Sequence, residues 1–186
     1  MNMGSDPERG SRPSAAIGPT AAAARLASNA VAIEGLVRHV SDDQARWRPD
    51  PSQWSILEVV NHLVDEEVED FRHRLEMTLF DPQQAWPAIE PQSWPATRGY
   101  LSRELGPSLA HFLEERRRSV AWLRGIGTAD MGATHDDPSH GPLRAGDLLA
   151  AWLAHDLIHV RQLTHLHYQW LERAAAPYRT DYAGPF

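Results

Sequence analysis

The sequence contains no cysteine. Disulfides, thiolate metal sites and a cysteine nucleophile are therefore excluded, and any metal must be held by nitrogen and oxygen. Lysine is missing too: all 18 basic residues are arginine, scattered rather than gathered, which reads as genome composition. The longest basic run is Arg116, Arg117 and Arg118, in a chain of formal net charge -7. That is not the positive footprint that phosphate backbones demand, so nucleic acid is not expected as a partner. No segment approaches the roughly 18 consecutive apolar residues of a membrane span, and the N-terminus lacks the charged start and unbroken apolar region of a signal peptide. The expectation is a soluble cytoplasmic protein with no membrane partner.

What is present is enough for one core: 186 residues, 42% of them hydrophobic, fit a single domain. Residues 1–18 are rich in Gly, Ser, Pro and charge, and are expected to be a flexible lead-in. The domain then covers 19–186, ending in a C-terminal tail. Leu26, Ala30, Ile33, Val37 and Val40 recur at helical spacing and predict a first amphipathic helix. Ser55 followed by Glu58 is a capping box, which starts a second helix at Ile56 and carries it to about Phe80. Val59, Val60, Leu63, Val68, Phe71 and Leu75 form its inner stripe; Asp65, Glu67, Glu69 and Asp70 fall mainly outside.

Residues 81–96 hold four prolines and two tryptophans, which predicts a long ordered loop pinned by its indoles. A third helix spans about Thr97 to Ile126, kinked or split at Gly106 and Pro107. The fourth runs from about Arg144 to Ala174, with no Ser, Thr or Asp where its cap is expected. No strand pattern is visible. Four helices with one apolar face each bury those faces against one another, so the fold class is all-α, a four-helix bundle.

The chemistry lies in "AWLAHDLIHVRQL", residues 151–163. His155 and His159 stand one turn apart on a line extended by Leu148, Trp152, Gln162 and Leu166, so both imidazoles aim inward and can reach one ion. Ten histidines make one such pair common by chance, so spacing alone says little. Burial says more, because two imidazoles in an apolar core need either a shared cation or complete hydrogen bonding. A metal site needs a third ligand from another helix, and His62, beside the stripe of helix two, is the candidate. Glu66, one turn later, has three open roles: fourth ligand, carboxylate behind a ligand, or general base.

The remaining histidines, 39, 73, 111, 135, 140, 165 and 167, read as surface or loop residues, with His135 and His140 placed to overhang the site. The tryptophans read as core and loop anchors, except Trp152, a candidate for the pocket. The run "EERRR" reads as a solvated face, with Arg117 or Arg118 a remote candidate for a substrate carboxylate.

Together, "WSILEVVNHLVDEE" and "HDLIHVRQL" resemble the DinB-like (DinB/YfiT-like) metalloenzyme superfamily, over about residues 19–174. Its pattern is Trp-Ser before a helix bearing one histidine, then His-Asp-x-x-His-x-x-Gln on the last helix. The resemblance implies a four-helix bundle holding a divalent transition metal, zinc or nickel foremost, on His62, His155 and His159, with Asp156 and Gln162 in support. Some members are S-transferases, or a maleylpyruvate isomerase, that use low-molecular-weight thiols such as bacillithiol or mycothiol. The first expectation is thus metal-dependent transfer of such a thiol, as cosubstrate, to an electrophilic small molecule. Hydrolysis by metal-bound hydroxide is the close alternative, and a non-catalytic metal- or ligand-binding stress-response bundle the distant one. A homodimer is compatible with each.

Overall fold

The computed structural model describes residues 17–138 and 141–186. The lead-in expected for residues 1–18 lies outside the described residues except for Ile17 and Gly18, and so does His140. Helix α1 spans Pro19–Val37 and opens with proline in its first turn, where the missing N–H costs nothing. After the short α2 (Asp42–Arg46), the capping box forms as expected: Ser55 Oγ accepts from the Glu58 amide and Glu58 Oε2 accepts from the Ser55 amide. It starts α3, Ile56–Asp65.

The second rod does reach Phe80, but not as one α-helix. Between α3 and α4 (Arg72–Phe80), residues Glu66–Phe71 form a π-helical segment. Its wider turn brings residues five apart into line rather than four, so Glu66 and Glu67 both turn inward. Glu67, expected outside, is 1% exposed; Val68, expected inside, is at the surface.

The tryptophans of the 81–96 loop do pin it: Trp94 is buried and Trp86 stacks on His135 at 4.2 Å. A single turn, α5 (Trp94–Thr97), leads into α6, Leu105–Gly125. Gly106 and Pro107 therefore neither kink nor split a helix; they occupy the first turn of one, whose amide hydrogens lack helical partners anyway. Next comes a two-stranded antiparallel hairpin, β1 (Thr134–Asp137) against β2 (Gly141–Arg144), with His135 opposite Leu143. It corrects the reading that no strand is present, while the fold class expected from the sequence, an all-α four-helix bundle, stands. Its strands hold four residues each and no β-branched run, so pairing rather than propensity makes them. Gly141 takes φ 72°, a backbone that favours glycine, at the start of β2.

Helix α7 runs Ala145–Ala175, and its cap is Asp147, whose carboxylate accepts from the Arg144 amide and guanidinium. α1 packs against α6 and α7, and α3 packs against α6. The core divides into two apolar clusters. Ile33, Val60, Leu63, Phe112 and Leu163 belong to one; Leu26, Phe71, Leu75, Leu123 and Trp152 belong to the other. Between these clusters along each long helix stands a polar layer: Asn29, then His62, Glu66 and Glu67, then Arg116, then His155, Asp156 and His159. Among the described residues, no helix is long and apolar enough to cross a membrane.

Candidate metal centre

His62 sits two turns into α3, held at depth by the capping box at its start, and faces His155 and His159 on α7. The three rings converge through their Nε2 atoms: His62 to His155 is 3.4 Å and His155 to His159 is 3.1 Å. One ligand atom from each of the three lies within 4.8 Å of the others. An imidazole-bound first-row ion sits about 2.0–2.1 Å from each nitrogen, so a tetrahedral edge between two donors measures about 3.3 Å. The donor set fits a divalent transition ion.

Hydrogen bonding alone does not satisfy the cluster. His159 Nδ1 lies 2.8 Å from the Gln162 side-chain oxygen, which only accepts, so Nδ1 carries the proton and Nε2 presents a lone pair. A proton on His155 Nε2 can then serve one of its two contacts and not both. His62 Nδ1 is buried and has no partner among the described residues.

The electrostatics keep the rings neutral, as metal binding requires. Burial, reinforced by His159 and His155, pulls His62 down to about 2. Burial first, then His159 and Arg116, takes His155 down to about 3. His159 is lowered by burial, against the opposing pulls of Gln162 and Asp156. Glu66 Oε1 lies 3.8 Å from His62 Nε2. Burial and the neighbouring Asp70, with which it shares a hydrogen bond, push Glu66 up to about 9.

The histidines form the floor of an open cleft of about 610 Å³, walled by Trp54, Phe71, Pro91, Ile158 and Gln162, with Glu66 and Asp70 on one side. That is the size of a small-molecule site. Trp152 is not part of it. Its ring is 1% exposed, stacks on Phe71, and gives its indole N–H to Glu67 Oε2 at 3.1 Å. The tryptophan in the wall is Trp54, tilted over His62 at 4.7 Å. Sequence reasoning passed it over, although the Trp-Ser pair before the cap marks its position.

Behind the cleft, the sequence reading of "EERRR" fails at Arg116, which is 2% exposed. Its guanidinium donates to both oxygens of Asp156, to Glu67 Oε1 at 2.9 Å and to the Leu26 carbonyl. Asn29 adds a bond to Asp156 at 3.0 Å. These bonds tie the turn between His155 and His159 to α1 and α6 through Asp156. Arg117 and Arg118 pair with Glu114 at the surface. His135 is buried rather than overhanging, its Nδ1 3.1 Å from the Pro82 carbonyl, and it does not line the cleft. His167 is tied to the Leu36 carbonyl and Gln44, not free at the surface.

No curated protein matches this chain. Among solved structures it is similar to YfiT from Bacillus subtilis, described as a probable metal-dependent hydrolase with an unusual four-helix bundle topology. The match has a TM-score of 0.73 at 18% identity and covers 86% of this chain and 93% of that one. Likeness at that identity speaks to the bundle topology. The sequence model of the DinB superfamily matches residues 25–163, most of the helical framework and all three histidines, and the chain belongs to that superfamily.

Proposed function

We propose that His62, His155 and His159 bind a divalent transition metal and that the protein is a metal-dependent enzyme acting on an electrophilic small molecule. The observation that carries this is the convergence of three neutral imidazoles, His62 and His159 buried and His155 half-buried, in the wall of an open cleft. Three protein ligands leave a coordination position open, and a bound metal supplies Lewis acidity there, activating a thiol or a water as nucleophile at neutral pH.

The chain's own residues do the rest. Gln162 fixes the His159 tautomer, and Asp156, held by Arg116, fixes the turn that carries the pair. Trp54 and Phe71 shield the site from bulk water. Protonated Glu66 sits beside His62 and can give its proton to a leaving group.

The first reading is transfer of a low-molecular-weight thiol. It is supported by the absence of cysteine, which leaves the nucleophile to a cosubstrate, and by a cleft with room for one. Hydrolysis is the second reading. Glu66 favours it, as a protonated carboxyl able to donate to the leaving group, and so does the description of YfiT.

Elemental analysis of the purified protein, beside a His155→Ala, His159→Ala double variant, tests the metal. About one equivalent in the parent is expected, lost in the variant while helical circular dichroism persists. A parent that neither holds nor takes up zinc or nickel defeats the proposal. Turnover of a model electrophile with and without bacillithiol, mycothiol or glutathione separates the two reactions, since thiol-independent turnover means hydrolysis.

A further inference from the structure

The cleft does not end at the histidines. A second hollow of about 640 Å³ adjoins it along α7, lined by Ile158, Arg161, Gln162, His165 and Phe186. Three of these residues, Ile158, Gln162 and His165, line the first cleft as well, so the two hollows adjoin along α7. The helix explains why they adjoin. Residues 155, 159 and 162 lie along one line of α7, and residues 158, 162 and 165 along the next, with Gln162 common to both.

The chemistry changes from one hollow to the next. The first holds the three imidazoles and the carboxyls of Glu66 and Asp70; among the side chains described along the second, one is charged, Arg161. Apolar surface takes their place. Ile158 is 51% exposed. Phe186 closes the far end, stacked on Tyr168 at 4.2 Å and 5° and on His165 at 5.6 Å. With a rise of about 1.5 Å per residue, the six residues from His159 to His165 span about 9 Å.

Resting on the metal reading above, we infer that the substrate is an elongated amphiphile: a polar head at the histidines and an alkyl or aryl arm about 9 Å long, lying between Ile158 and Phe186. Burial of that arm covers the isoleucine and the exposed face of the phenylalanine, which supplies the driving force. Ile158 and Phe186 then set specificity, and the imidazole end sets the chemistry.

The test uses the full chain loaded with cobalt(II), whose visible bands report ligands entering the open position. Acetohydroxamate and octanohydroxamate offer the same head group with and without the arm. In the parent, octanohydroxamate should bind at least tenfold more tightly. Phe186→Ala and Ile158→Asn, both at exposed side chains, should each reduce that ratio at least threefold while helical circular dichroism is retained. Equal affinity of the two hydroxamates in the parent, or a ratio undiminished in both variants, overturns the arm and leaves the metal reading standing. Cobalt that does not bind, or bands that neither hydroxamate moves, defeats the metal reading and the arm together.

Discussion

Each site histidine is neutral because it is buried, and that neutrality has a pH signature. His62 and His155 titrate at about 2 and 3 in the fold against an ordinary 6.5, and His159 is lowered as well. Below pH 6.5 the unfolded chain binds protons that the folded site refuses, so their contribution is full above 6.5 and falls as pH drops through that window. Glu66 acts in the opposite sense. Raised from 4.5 to about 9, it favours the fold at low pH, and its contribution disappears as pH rises from 4.5 to 9. Between 4.5 and 6.5 three imidazoles oppose two carboxyls, Glu66 and Glu67, the latter also raised by burial. The metal-free protein is therefore expected to gain stability with pH up to about 6.5 and to lose it above, measured as urea midpoints from pH 4 to 9. A midpoint still climbing at pH 9 contradicts the burial of Glu66. The shared line of His155, His159 and Gln162 was legible because three- and four-residue spacing on a helix is a local rule; the exclusion of Trp152 from the cleft was not, because it depends on Glu67 reaching its indole.

At the scale of the element, the rod bearing His62 combines a legible feature with an illegible one. Its capping box is written in four consecutive residues, and Ser55→Ala should cost about 1 kcal/mol in urea unfolding by freeing the Glu58 amide. No loss on substitution would mean that Arg48, which also binds the Glu58 carboxylate, holds the turn alone. The π segment ten residues later has no comparable mark. Nothing in "EEVEDF" forbids an α-helix; the wider turn persists because it lets Glu66 reach the histidines and Glu67 reach Arg116 and Trp152. The hairpin is similar in kind. Its strands form because the chain must cross from α6 to α7, and they bring His135 and Leu143 to the same face.

At the scale of the molecule, one guanidinium ties the bundle together. Arg116 on α6 bonds the α1 backbone at Leu26, Glu67 on the second rod and Asp156 on α7, so all four long helices meet at it. Burial opposes its charge, but Glu67 and Asp156 outweigh that and raise its pKa. Burial pushes Glu67 up. Removing the cation strands two buried carboxyl groups, so Arg116→Ala should destabilise the fold by about 3–5 kcal/mol in denaturant unfolding. It should also loosen metal binding, because Asp156 positions the turn between the two α7 histidines. Loss of stability with unaltered zinc affinity would show that the layer supports the bundle without tuning the site.

The sequence by itself determined the helical class, the extents of α1 and α7, the start of the second rod and the inward line of His155 and His159 on α7. These depend on periods, caps and spacings that act within about ten residues, where propensity and amphipathicity decide. Only the tertiary structure decided which charges go inside. Arg116 and Glu67 are ordinary surface residues by every local rule, and they are buried because each compensates the other across a distance of 49 positions. The placing of Trp54, Phe71, Ile158 and Phe186 is likewise tertiary: the second rod, α7 and the C-terminal segment bring them around the histidines and the hollow beside them.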